Sequence, residues 1–174
     1  MRRTGTTRRG ALTATGAIAM GAILSGCGGN GEGEGSTRAD APTAAEIARA
    51  MRTERRLRAG AARTSLELLA RYEHVVGAYP VIAARIAPLR DAVRAHTRTL
   101  APDGGQELTS TRSRATGARA AVEELADAER RTADAHLASL MEAPPELARL
   151  LASIAAAGAA HAYLLTDLAK ETSS

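Results

Sequence analysis

Residues 145–165 read PELARLLASIAAAGAAHAYLL, and residues 80–100 read PVIAARIAPLRDAVRAHTRTL. In the first, Leu147, Leu151, Ile154, Gly158, His161 and Leu165 recur alternately four and three apart. In the second, Ile82, Ile86, Leu89, Val93, His96 and Leu100 do the same. That period puts each set on one face of a helix. Each stretch opens on a proline, which suits the first helical turn because its missing N–H has no helical partner there. Pro80 stands 16 residues before His96, and Pro145 stands 16 before His161. The pattern reads as an internal repeat of helical hairpins, each turned at a proline.

Outward from these stretches, the chain from Thr43 onward is rich in Ala, Leu, Arg and Glu. It has no Phe or Trp, and its only aromatics are Tyr72, Tyr79 and Tyr163. Such composition favours helix strongly. Helix A is expected at 43–79, opened by a capping box at Thr43 and Glu46, B at 81–100, C at 110–142 and D at 145–170. Gly60 is a point where A would split, and Pro88 one where B would kink. Pro102 with Gly104-Gly105 separates the hairpins A-B and C-D. The expected fold is all-α, an antiparallel four-helix bundle made of two helical hairpins. With so much alanine the helices approach closely, and a larger side chain in the alanine run of helix D should be poorly tolerated. The three tyrosines are expected to pack at the flanks.

At 100° per residue, His74 falls opposite the apolar face of helix A and should be exposed. His96 and His161 fall inside their stripes, and His136 shares the stripe of Ala118, Val122, Leu125 and Leu140. Glu129 lies on that same stripe, and a carboxylate there needs a partner. Counted from the hairpin turns, His96, Glu129 and His161 lie at one depth, so three polar side chains from B, C and D converge on one layer of the core.

The first 42 residues are of another kind. Arg2, Arg3, Arg8 and Arg9 precede an apolar run from Ala11 to Leu24, followed by Ser25, Gly26 and the lone cysteine, Cys27. The run is shorter than the roughly 20 residues a spanning helix needs, and its parts are those of a signal peptide. Leu24-Ser25-Gly26-Cys27 resembles the lipobox of bacterial lipoproteins, which implies a diacylglyceryl group on Cys27, cleavage between Gly26 and Cys27, and further acylation. Thr7-Arg8-Arg9-Gly10-Ala11-Leu12 resembles a twin-arginine export motif; a Sec signal with four arginines is the alternative. Residues 27–42, with Gly31-Glu32-Gly33-Glu34-Gly35, read as a flexible tether with an r.m.s. reach on the order of 20 Å. The expected domains are a signal peptide at 1–26, the lipidated tether at 27–42 and a helical domain at 43–174. The expected location is the outer, extracytoplasmic face of the cell membrane.

The formal charge of +4 belongs to the signal, because residues 1–26 hold four arginines and no acid, leaving 19 basic against 19 acidic residues. A neutral domain with dispersed arginines gives no electrostatic footprint for nucleic acid. The balance is uneven along the chain, with 11 arginines against 5 acids from Thr43 to Ala101 and 7 basic residues against 11 acids from Asp103 to Ser174. The halves would attract each other across a shared flank, or orient the protein near an anionic lipid surface. With Cys27 taken by lipid, no thiol remains for a disulfide, a metal or a nucleophile.

His on helices B and D with Glu on C resembles the ferritin-like superfamily. Its di-iron members carry Glu on A and C and Glu-x-x-His on B and D. Here Val93 and Gly158 stand three before each histidine, Ser65 stands at the matching height on A, and Glu67 points outward. The chain also resembles small lipoproteins of high-GC Gram-positive bacteria that carry a ferritin-like domain of unassigned function, through Pro144-Pro145-Glu146-Leu147-Ala148-Arg149-Leu150-Leu151 and Ala160-His161-Ala162-Tyr163-Leu164-Leu165. That likeness implies a fold and no activity.

Two functions are expected from this. One is a lipid-anchored binding or scaffolding module, not an enzyme and without a cofactor, in which His96, Glu129 and His161 form a hydrogen-bonded layer that sets helix register. The other is a site for one divalent transition metal on His96, Glu129 and His161. No phosphate-cradling glycine loop, HExxH motif or Ser-His-acid arrangement is present. Partners are the membrane through Cys27 and an unknown protein; Met51 and Leu57, if left uncovered, would mark a partner surface or a homodimer.

Overall fold

The computed structural model describes residues 42–101 and 113–172. The expectations for Arg8, Arg9, Gly26, Cys27 and the tether up to Ala41 lie outside these residues. The chain divides at Asp40–Ala41, and all four helices belong to the unit Ala41–Ser174. They are α1 (Ala44–Ala78), α2 (Pro80–Leu100), α3 (Ala118–Leu140) and α4 (Pro145–Glu171), with no strand among the described residues.

Local chemistry accounts for the ends. Glu46 N–H donates to Thr43 Oγ1 while Thr43 N–H donates to the Glu46 carboxylate, closing the expected capping box. These bonds also hold the Glu46 carboxyl below its ordinary range. One residue, Tyr79, joins α1 to α2, and Pro80 and Pro145 each begin a helix. Gly60 does not split α1 and Pro88 does not interrupt α2. Pro88 is exposed, on the side away from the core. Helix α3 begins at Ala118 rather than 110: residues 113–117 are not helical, and this polar stretch offers no apolar period to dock a turn.

Helix α3 packs most extensively on α4, α1 on α2, and α1 also on α3. Two apolar clusters fill the interior. One gathers Leu68, Leu69, Tyr72 and Val75 of α1, Ile82, Ile86 and Val93 of α2, Ala121 to Ala128 of α3, and Leu165, Leu168 and Ala169 of α4. The other gathers Ala61, Ala62, Leu100, Leu147, Leu151 and Ile154, with Leu57 packed against it. Along α1 and α4 the chain passes from the second cluster to the first, and along α2 and α3 from the first to the second. Each hairpin is therefore antiparallel, while α2 and α3 run the same way. Just before α3, the Ala115 carbonyl accepts a bond from Tyr79 O–H at the α1–α2 turn, 3.5 Å away.

Helix α4 is long and apolar enough to cross a membrane, the one described helix that is. Its apolar stripe faces the core, with Leu147, Leu151 and Leu165 fully covered, which is how a central helix of a folded domain also reads. At the other extreme, α1 contributes no buried residue before Ala61. Ile47 and Met51 are about half exposed there, so of the two residues singled out in the sequence Met51 is uncovered and Leu57 is packed against the second cluster.

Candidate functional site

On each helix, polar side chains stand between the residues of the two apolar clusters: Ser65 on α1, His96 on α2, Glu129 and His136 on α3, and His161 on α4. The regular rise of about 1.5 Å per residue carries His96 and His161 the same distance from Pro80 and Pro145. The two imidazoles stack, with ring centroids 6.4 Å apart and planes at 16°.

Glu129 is 1% exposed, so its carboxylate has exchanged water for protein partners. Tyr72 O–H donates to Glu129 Oε1 at 2.6 Å, and His161 Nδ1 lies 3.0 Å from the same oxygen. A carboxylate oxygen only accepts, so Nδ1 carries the proton of that bond. Seven residues upstream of Tyr72 on the same face of α1, Ser65 Oγ shares a hydrogen bond of 3.1 Å with His136 Nε2. No buried side-chain nitrogen or oxygen among the described residues lacks a partner.

The electrostatics follow from burial. Desolvation, then the nearby His161, push the His96 pKa below its ordinary value, with Glu129 pulling the other way. Desolvation, then His96, do the same to His136, again against Glu129. Burial, the Glu129 charge and the bond to Glu129 together hold the Tyr72 hydroxyl protonated far above the usual tyrosine range.

Gly158 makes room for this arrangement. A Cβ built there would lie 3.2 Å from Glu129 Oε2, 3.4 Å from the Ala133 Cβ and 3.6 Å from the Glu129 carbonyl oxygen. The close approach expected within the alanine run of α4 is thus centred on its glycine, facing α3.

His96, Glu129 and His161 are brought together as expected, but the α1 residue level with Glu129 is Tyr72, and Ser65, expected at that height, lies two turns away against His136; Glu67 is exposed. His74 is exposed, also as expected. Tyr72 corrects an expectation: it is fully buried and bonded to the carboxylate rather than packed at a flank, while Tyr163 is 71% exposed. The available signal was the seven-residue spacing of Ser65 and Tyr72, which places both on the core face of α1.

The donor set does not suit a di-iron centre. Helix α1 presents Tyr72 and Ser65 to the polar core and no carboxylate, Val93 and Gly158 stand where bridging glutamates are needed, and the one buried glutamate among the described residues is engaged by a tyrosine and a histidine. Among the described residues no group of three or more His, Cys, Asp or Glu side chains is arranged to hold a metal ion. Compared with known proteins, the chain matches no family model, no curated protein and no solved structure.

Proposed function

We propose that this chain is a lipid-anchored binding or scaffolding module at the extracytoplasmic face of a bacterial cell membrane, built on a ferritin-like four-helix bundle in which a polar layer has taken the place of the metal centre. The observation that carries the reading is the bonding of Glu129: Tyr72 and His161 meet at one oxygen of a carboxylate that has left water. Its two bonds join α1, α3 and α4, and a slip of any one helix by a residue would break one of them. The parallel run of α2 and α3 supports the ferritin-like reading, since that superfamily joins its hairpins by one crossover. The residues Leu24 to Cys27 support the anchor.

The anchor is tested by growing cells on an alkynyl fatty acid and separating membranes. Label on the wild-type chain in the membrane fraction, with neither label nor membrane retention for Cys27→Ala, is the expected result. An unlabelled, soluble wild-type chain would refute it. The convergence of His96, Glu129 and His161 keeps a second reading in view, a single divalent metal held by those three. It requires His161 to give up its bond to Glu129 and turn both groups toward one point. The two readings part on whether added metal raises the melting temperature.

A further inference from the structure

Seven of the fifteen arginines in the described helices pair with an acid. Arg58 pairs with Glu54, Arg85 with Glu171, Arg90 and Arg94 with Glu73 and Asp91, Arg119 with Glu123, Arg130 with Asp127 and Arg149 with Glu146. Arg71, Arg114 and Arg131 form no ion pair within 4.0 Å, yet they meet around one concavity of 330 Å³ in the seam between α1 and α3, with Glu124 as its fourth wall. Two neighbouring hollows of the same seam continue from it. One is reached through Arg71 and Glu124 and bears His74, and the other is reached through Arg71 and Arg131 and bears Glu67, Thr64 and Thr132.

Three guanidiniums outnumber the carboxylates of the seam, Glu124 in this concavity and Glu67 in the adjoining hollow, and neither carboxylate forms an ion pair with them within 4.0 Å. The Glu124 carboxylate instead accepts a bond from the Ser113 hydroxyl at 2.8 Å. A planar fork of N–H donors from each arginine matches the oxygens of a phosphate. We infer that the Arg71, Arg114 and Arg131 concavity is a binding site for a phosphate ester, with the phosphate between the guanidiniums. Glu124 and the threonines leave acceptors and hydroxyls beside it, so the ester is one that carries hydroxyl groups, such as a glycerol phosphate. The phosphate belongs either to a soluble ester or to a lipid headgroup of the surface on which an anchored domain would sit. The inference deepens the binding reading above by giving it a ligand class, and it stands apart from the polar layer, which none of these residues enters.

The test is calorimetric titration of the full-length chain with glycerol 1-phosphate and with inorganic phosphate, at low and at physiological salt. It is run beside Arg71→Gln with Arg131→Gln, and beside Arg149→Gln as a control for net charge. Saturable one-to-one binding, weakened at least about tenfold by the double substitution and little by the control, is expected, since each charged hydrogen bond contributes about 1.5–3 kcal/mol. Flotation with phosphatidylglycerol or phosphatidylcholine vesicles assigns the source. Flotation on phosphatidylglycerol that depends on Arg71 and Arg131 points to the headgroup, and binding of the free ester without it points to a soluble ligand. Absence of saturation by the esters and by vesicles, or an equal loss in the Arg149 control, would overturn the site. Unchanged melting curves for the substituted chains, whose arginines lie outside the core, separate such a failure from unfolding or loss of the anchored fold.

Discussion

Replacing Tyr72 by Phe removes one oxygen and leaves the ring in place. The hydroxyl is fully buried and donates at 2.6 Å to a carboxylate that is itself 1% exposed. A hydrogen bond to a charged group is worth about 1.5–3 kcal/mol, and here the acceptor left behind cannot reach water. A loss of about 2 kcal/mol corresponds to a fall of roughly 6–10 °C in melting temperature for a domain near this size. Urea and thermal melts followed by far-ultraviolet circular dichroism would measure it. Glu129→Ala and the double variant close a thermodynamic cycle in which the pair should couple by about 1–3 kcal/mol. A Tyr72→Phe chain that melts within a degree or two of wild type, or a cycle that sums to zero, would refute the claim that this bond holds the core.

Gly158→Ala should fail to give the gain of about 1 kcal/mol that helix propensity promises, because the new methyl meets a Glu129 oxygen and the Ala133 Cβ; a full gain in stability would show that the contact with α3 yields freely. Stability should fall as pH drops below 6.5, because His96 and His136 bind protons more weakly in the fold than in the unfolded chain, so the unfolded chain takes them up first. His136→Asn should flatten that dependence between pH 7 and 5.5, and identical slopes in the two chains would contradict the assignment. At the alkaline end the sign reverses: the Tyr72 proton is held more tightly in the fold, so stability should be lost above pH 10, and less steeply in Tyr72→Phe. Urea midpoints across pH 9–11 would check this, equal slopes counting against it.

Much of this core was legible in the sequence because helices convert residue number into height. The intervals from Pro80 to His96 and from Pro145 to His161 are equal but start at opposite ends of the domain, so the stacked imidazoles meet because both reach its middle layer. Glu129 announced itself as a carboxylate on an apolar stripe. Periodicity gives the face and height of a side chain but not the direction of its polar end. That is why Tyr72, an apolar body with one hydroxyl, read as packing until its partner on α3 was in view. The late start of α3 was hidden for a different reason. The Thr, Ser and Arg residues before Ala118 are compatible with helix by propensity, and a helix there would have nothing to bury. Pro88 and Gly60 illustrate the converse, local weak points overridden by the packing of the long helices that contain them.

The most direct test of the central claim, that the polar layer is an internal framework and not a metal centre, is metal analysis with metal-dependent melting. The full-length chain is purified without a histidine tag and compared with the His96→Ala, His161→Ala double variant. The account predicts substoichiometric metal, a melting temperature unmoved by added zinc, manganese or iron(II), and a variant that melts lower whether or not metal is present. Stoichiometric metal, with a melting temperature that rises on addition in wild type and not in the variant, would contradict it.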